Sequence, residues 1–568
     1  MTDAIVELDT TAEPHRIAAA YHRRTKHHFD RFAPHLGYMD WDTQPDPFRR
    51  FEGAAEVPLA FPDADRTPPY DDLYRPGAIK PRPVTSETIA YFFFYSMAIS
   101  GWKQRERARW AVRVNPSSGN LHPTESYLLV HAVDGITERP GLLHYAPREH
   151  LLEQRTHFTE TFWSNLTRGQ PSGAFFVALT SIFWRESWKY GERAYRYCQH
   201  DAGHALAALR YGAALLGWQL VVLAAVNDTQ LDRLLGLSRE DARHENEPER
   251  PDLLAVVLPG PQPQYFAADP PDDVVFDQAE AGTWFGRANR LSPDHHPWEA
   301  IDAVEHACRT GRGWQEDLRF PVPPRRAAED LAASIMAAPS CLSAGRILRQ
   351  RRSGLEMDGV TGIPRDRFYA LLARLVPNLS PVPWDAITWP VFAHLGLFVH
   401  RVEGLPPGLY ALIREETQVE KLRSALADRF VWRKPAQCPD RLGFFLLQEG
   451  DFQKVAARVS CDQPLAGNGA FSLGMFVAFD RALDQYGAPI YRHLFWETGA
   501  IGQVLYLEAE AAGLRGTGIG CFFDDPVHDM FGLVDTRFQS LYHFSVGGPV
   551  EDPRLLSQPA YPHMGRAT

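Results

Sequence analysis

The sequence predicts an α+β chain of two tandem domains joined by a long connection, and three observations carry that prediction. The first is length: 568 residues exceed what one core ordinarily holds and fit two domains. The second is an internal repeat. Tyr195 to Leu237 aligns without a gap to Tyr491 to Leu533 at a constant offset of 296, with nine identical pairs. Average composition would give roughly three by chance. A period this long is a whole domain rather than a solenoid unit. The third is that the two copies differ in chemical features, which gives them unequal capacity to hold a ligand. The expected boundaries are 1–268 for the first domain, 269–325 for a linker with an extra helix, and 326–568 for the second.

Each copy supplies its own elements. Leu206, Leu209, Ala213 and Leu216 recur at helical spacing, and Gly217 ends that helix. The matching helix of the second copy is expected over roughly Gly499 to Ala512. A buried strand or turn follows, then a short helix ending at Gly236-Leu237. Strands Leu253 to Leu258 and Tyr542 to Val546 close the copies, and Gly-Leu-(Leu/Tyr) signals mark strands near Gly141 and Gly408. Each half also opens with an Arg-Arg-hydroxyl triplet, Arg23-Arg24-Thr25 and Arg351-Arg352-Ser353. Pro259 to Arg325, rich in Pro, Asp and His, reads as the linker.

Composition narrows the function classes. A net charge of −11 argues against a surface that tracks nucleic-acid phosphates. The segment Met1 to Pro14 is acidic and polar, without the apolar centre of a signal peptide. The longest apolar run, Leu215 to Val226, is broken by Gln219 and is too short to span a bilayer. Cysteines 198, 308, 341, 438, 461 and 521 are irregularly spaced, which favours reduced thiols in a cytoplasmic protein. His200 and His204 stand four apart on a helix, but no third ligand accompanies them, so no metal site is expected; His27-His28 and His295-His296 read as structural too.

The chemistry-bearing segment is Arg113-Val114-Asn115-Pro116-Ser117-Ser118-Gly119-Asn120, read as a short turn between an apolar helix and an apolar strand. Its hydroxyls, amides and backbone N–H groups suit the edge of a flat polar ring and point to a flavin. Arg351, Arg352 and Ser353 are read at a helix start, where guanidinium groups, a hydroxyl and free N–H groups cradle a phosphate. Alone, that triplet reads more readily as a solvated basic helix face. Gly516-Thr517-Gly518-Ile519-Gly520-Cys521 follows a helix, the wrong order for a dinucleotide fingerprint. Its glycines suit close approach of backbone to a flat ligand. The equivalent run Gln219 to Ala224 has no glycine. Lys189-Tyr190 pairs an amine with a phenol, able to serve as base and proton partner, where the second copy has Gln485-Tyr486. A surface lysine beside a packing tyrosine is the plain alternative.

Together these segments resemble the nitroreductase-like flavoenzymes, and within them the SagB/ThcOx-type dehydrogenases in a tandem-domain form. Gly404 to Tyr410, Thr25 to Phe29 and Asp40 to Phe48 add to the likeness, which spans nearly the whole chain. The resemblance implies the FMN-dependent nitroreductase fold: a mixed sheet wrapped by helices, with FMN where two domains meet. Ordinary members are homodimers, so the duplication implies an intramolecular pseudo-dimer with one intact site. It also implies roles. Arg351, Arg352, Ser353 and Arg554 hold the phosphate. Asn115, Pro116, Ser117, Ser118, Gly119 and Asn120 border the ring, with Ile519, Gly520 and Cys521 near its N5, and Arg113 faces N1/O2. Lys189 and Tyr190 are catalytic. Leu355 departs from the family, which has a basic residue there.

The implied activity is hydride transfer between substrate and flavin N5, with azoline oxidation on a small-molecule or peptide-derived substrate as one candidate. The alternatives are an NAD(P)H-dependent nitro- or quinone reductase, and a flavin-binding scaffold of a biosynthetic complex. No leader-peptide domain is expected before Tyr21, nor any nucleic-acid or membrane partner. The assembly is expected to be a monomeric pseudo-dimer or a homodimer of it.

Overall fold

The computed structural model describes residues 6–63, 65–239, 244, 246–260, 271–311, 342–533 and 535–564. Both expected domain boundaries, and Cys341, lie outside these residues.

Two sheets form the body. The first runs edge to edge as Glu56–Pro58, Leu151–His157, Gly141–Ala146, Thr124–Val130, Phe175–Ile182, Glu249–Leu258 and Gln219–Val222. The second runs Phe444–Glu449, Gly408–Leu412, Ala393–Val399, Phe471–Val477, Gln539–Gly547 and Arg515–Ile519. The expected mixed sheet is corrected: every ladder within these two sheets is antiparallel. Among the described residues, parallel pairing is confined to isolated bridges such as Ser353 with Gly516. Val, Leu and Phe fill the central strands because both faces are covered, leaving no solvent side to be polar.

Against the sheets pack two long helices, Ala194–Leu215 and Ile490–Ala511, whose ends match at the repeat offset of 296 residue for residue. The second begins nine residues before the expected Gly499, because Ile490, Leu494 and Ile501 continue the buried face toward the N-terminus. The same offset relates Phe183–Tyr190 to Phe479–Tyr486 and Asp228–Leu235 to Asp524–Phe531. Gly236 and Gly532 close the last pair in the left-handed conformation that glycine adopts without strain (φ +66° and +72°).

The lobes meet as a symmetric dimer would. Gly203 of the first long helix lies against the backbone of Trp496, and Gly499, its equivalent, against that of His200. Tyr195 and Tyr491, also equivalents, stack with centroids 6.5 Å apart and planes 5° from parallel. Arg196 pairs with Asp524 at 2.9 Å while Arg492 pairs with Asp228 at 2.8 Å. Residue i touching j while j's equivalent touches i's equivalent is the signature of an isologous interface. The pseudo-dimer is therefore built into one chain.

The remaining chain ties the lobes further. The region expected to hold one extra helix holds Asp273–Glu280 and Glu299–Ala307, and Arg287–Ala288 pairs with Phe51–Glu52. Near the C-terminus, Leu556–Gln558 adds a strand to the hairpin Ile99–Arg105 and Ala108–Arg113 of the first lobe. Trp102 Nε1 donates to the Ala560 carbonyl, and Tyr561 Oη to that of Pro147. That hairpin corrects another expectation, since a strand and not a helix leads directly into the turn at Asn115.

Candidate active site

The turn is held from behind by carboxyl groups. Ser118 donates through N and Oγ to Asp201 at 3.1 and 3.2 Å. Ser117 Oγ donates to Glu186 Oε1 at 3.3 Å and accepts the His122 N–H at 2.8 Å. Asp201 lies on the first long helix and Glu186 on the helix before it, and both are buried. Burial pushes the Glu186 carboxyl well up, and the neighbouring Asp201 charge adds to this. Burial also pushes Asp201 up, to about 7, against the lowering effect of its serine bonds. The pair therefore keeps a proton at neutral pH.

Gly119 takes φ +60° and Asn120 φ +57°. A Cβ on Gly119 would stand 2.7 Å from Tyr190 Oη and 3.2 Å from Lys189 Nζ, so only glycine lets the turn approach this pair. Lys189 Nζ lies 5.1 Å from the Tyr190 ring centroid. The Tyr190 ring meets Tyr197 edge-on at 4.7 Å, and Tyr197 Oη donates to the Gly520 carbonyl at 3.1 Å. Arg193 Nη2 donates to the same carbonyl at 3.1 Å. A continuous path of contacts thus runs from the first-lobe turn to Gly520 and Cys521 in the second.

The other end of the turn meets the second lobe as well. Arg351 Nε donates to the Val114 carbonyl at 3.1 Å and Nη2 to that of Arg113 at 3.0 Å. Ser353 Oγ lies 2.8 Å from Tyr506 Oη, which accepts the Gly518 N–H at 2.9 Å. The triplet is not at a helix start: Arg351 caps the C-terminus of Ala344–Gln350. Helical N–H groups therefore do not complete a cradle here. Arg352 is pushed down to about 9 by burial and then by the neighbouring Arg351 and Arg349. Lys103 of the first lobe is lowered by burial and then by Arg352, with Arg515 adding to it. Glu510 pairs with Arg515 and accepts the Arg352 N–H at 3.2 Å, so the positive charge left for an anion is that of Lys103, Arg351 and Arg352.

Other expected residues fall differently. Gly516 to Cys521 is largely not a turn, since Arg515–Ile519 is the edge strand of the second sheet. The Arg113 guanidinium turns inward, donating to the Pro47 carbonyl at 2.7 Å beneath the Phe48 ring, so only its backbone reaches Arg351. Arg554 is largely exposed and paired with Asp552 at 2.9 Å. Leu355 is exposed, while Arg515 packs against Gly354 beside it. Arg23-Arg24-Thr25 is not the counterpart of Arg351-Arg352-Ser353. The Thr25 carbonyl accepts from Arg193 before the first long helix, whereas Ser353 sits near the far end of the second at Tyr506. His200 stacks on Tyr542 at 4.2 Å and His204 Nε2 lies 3.2 Å from its hydroxyl, both rings held neutral chiefly by burial.

The pseudo-equivalent locus is filled. Glu186 and Lys189 are replaced there by Ala482 and Gln485, and Ile519-Gly520-Cys521 by Leu223-Ala224-Ala225. Glu497, the equivalent of Asp201, pairs with Arg414 and accepts the Phe392 N–H at 3.0 Å. Strand pairing puts Trp389 where the first copy has Asn120, and its ring meets His493, the equivalent of Tyr197, edge-on at 4.7 Å.

Sequence reasoning missed Glu186, Asp201, Tyr197, Lys103 and Arg515. The one available signal was the repeat itself, in which Glu186 faces an alanine across the offset. The donor set fits a flavin mononucleotide: cations gather at one end, and Asn115 Oδ1 is buried without a hydrogen-bond partner beside the turn.

Residues 103–244 match the family model described as Nitroreductase family. Among solved structures, a protein assigned as a nitroreductase from Anabaena variabilis is similar over 94% of this chain and 99% of its own, with TM-score 0.64 and 19% identity. That likeness covers both lobes and shows the fold. A protein assigned as a nitroreductase from Ralstonia eutropha overlaps 40% of this chain and 98% of its own, with TM-score 0.27 and 14% identity. The E. coli microcin synthetase McbBCD complex with truncated pro-MccB17 bound overlaps 35% of this chain and 71% of its own, with TM-score 0.26 and 18% identity. No curated protein matches. Among the described residues, no helix is long and apolar enough to cross a membrane.

Proposed function

We propose that this chain is an FMN-dependent oxidoreductase of the SagB dehydrogenase type, with one composite site across its two lobes. The observation that carries the reading is a double contact with one turn: Arg351 of the second lobe grips the backbone entering it, and Lys189-Tyr190 covers Gly119 within it. Arg351, Arg352 and Ser353, joined by Lys103, would hold the phosphate. Asn115 to Asn120 would border one edge of the ring and Ile519 to Cys521 the other. Bound FMN supplies a two-electron acceptor for hydride from a substrate carbon.

The residues of the chain then handle the proton. Lys189 Nζ takes it from the ring carbon next to the one that gives up the hydride, and Tyr190 Oη, beside Gly119, fixes the direction of approach. The Glu186–Asp201 pair, keeping one proton, anchors the turn without placing two charges behind it. Oxidation of an azoline in a peptide-derived substrate to the aromatic azole uses these steps, one hydride and one proton leaving neighbouring atoms.

The deciding experiment compares the FMN-loaded protein with Lys189→Ala on an azoline peptide under air and on nitroaromatics with NAD(P)H. Azoline oxidation with peroxide release, falling about 10²–10⁴-fold in kcat in the variant while the flavin spectrum persists, is the expected result. NAD(P)H-driven nitro reduction without azoline turnover moves the assignment to a reductase. Turnover unchanged by the substitution, with partner binding intact, moves it to a scaffold. No flavin band after FMN addition sinks the catalytic reading altogether.

A further inference from the structure

Cys461 and Cys521 come from segments far apart in sequence, yet their sulfurs lie 2.6 Å apart. Two short segments hold them there. Phe523 N donates to the Val459 carbonyl at 2.8 Å, and Gln463 Nε2 donates to the Cys521 carbonyl at 3.1 Å. Cys461 follows the helix Gln453–Val459 with φ +55°, which turns its side chain out of helical register. Both residues are partly exposed, unlike the buried Cys198, Cys308 and Cys438. The Arg193 guanidinium, which donates to the adjoining Gly520 carbonyl and lies over the Phe522 ring at 4.9 Å, places a fixed positive charge beside the pair.

We propose that Cys461 and Cys521 form a reversible dithiol–disulfide centre whose substrates are small disulfides and their thiols. Cys521 is the attacking sulfur. Its thiol is lowered by the hydrogen bond it shares with Cys461 and then by Arg193, while that same bond raises Cys461. Low thiol pKa beside a cation is what makes a cysteine nucleophilic. The Cys521 thiolate attacks one sulfur of RS–SR, forming a mixed disulfide and expelling one RS⁻. Cys461 then loses its proton and attacks Cys521 Sγ, closing the internal disulfide and expelling the second RS⁻. The two cysteines lose two electrons and two protons in all, and RS–SR becomes two RSH.

Closing this bond fastens the segment after Val459 to the backbone that continues from Gly520. That consequence rests on the proposed flavin site; the exchange itself does not. The test therefore uses no turnover assay. The full-length protein is exposed to oxidised glutathione, then denatured, alkylated and mapped by peptide mass spectrometry. The expected product is a Cys461–Cys521 cross-linked peptide, reopened by dithiothreitol, with Cys198, Cys308 and Cys438 alkylated throughout. Cys461→Ser should stop at one glutathionyl group on Cys521, and Cys521→Ser should take none at Cys461. Full alkylation of both residues in the wild-type chain after oxidised glutathione overturns the proposal. So does glutathionylation spread evenly over the other cysteines. The wild-type map alone decides the matter if a variant fails to fold.

Discussion

At the scale of single residues, the turn works because charge behind it is rationed. Glu186 and Asp201 would repel each other if both ionised, so the folded chain retains a proton that the unfolded chain releases. For a carboxyl with a raised folded pKa, stability is fully present below the unfolded value and is lost as pH rises toward the folded one. Asp201 therefore costs stability progressively between its ordinary 3.8 and about 7. Asp201→Asn should flatten this dependence: denaturation midpoints of variant and wild type should converge toward pH 4 and separate in the variant's favour by pH 8. A variant that tracks the wild type across the whole range would show that the pair does not hold the proton. Such residues were hard to read in the sequence. A glutamate among Trp184, Ser187 and Trp188 carries no mark of its burial until the serines of a distant turn are brought to it. Lys189 and Asn115 to Asn120 were legible because their types cluster along the chain.

At the scale of elements, the repeat was the most legible feature, and it was legible for a physical reason. Gly203 and Gly499 survive in both copies because each long helix presses on the other's backbone there, and no side chain fits between. Gly203→Ala should cost about 1–3 kcal/mol through overpacking, and Gly499→Ala a similar amount, read as a lower midpoint in urea. A cost below a few tenths at both positions would mean the helices can part freely at this crossing. The elements that misled were those with local resemblance but different surroundings. Arg23-Arg24-Thr25 matches Arg351-Arg352-Ser353 in residue type, yet the two triplets meet opposite ends of the long helices. Likewise the glycine at 518 suggested room for a flat ligand, whereas it belongs to a strand and the room it leaves is taken by Tyr542.

At the scale of the whole molecule, the proposed function has one site where the duplication provides two equivalent loci. The filled second locus, with Trp389 over His493 and Glu497 bound to Arg414, leads to an expected flavin content of about one per chain after saturation with FMN. A ratio near two by absorbance would show that both loci accept the cofactor. Because Arg351 and the turn belong to different lobes, fragments 1–311 and 342–568 prepared separately should each fail to retain FMN, and co-expression should restore it. Retention by either fragment alone would break the composite-site account. The strand Leu556–Gln558 adds a constraint of another kind. The hairpin it completes carries Lys103 and leads into the turn at Asn115, hundreds of residues earlier. During synthesis that hairpin edge stays unpaired until residues 556–558 have been made, and it is where a chaperone has most to shield.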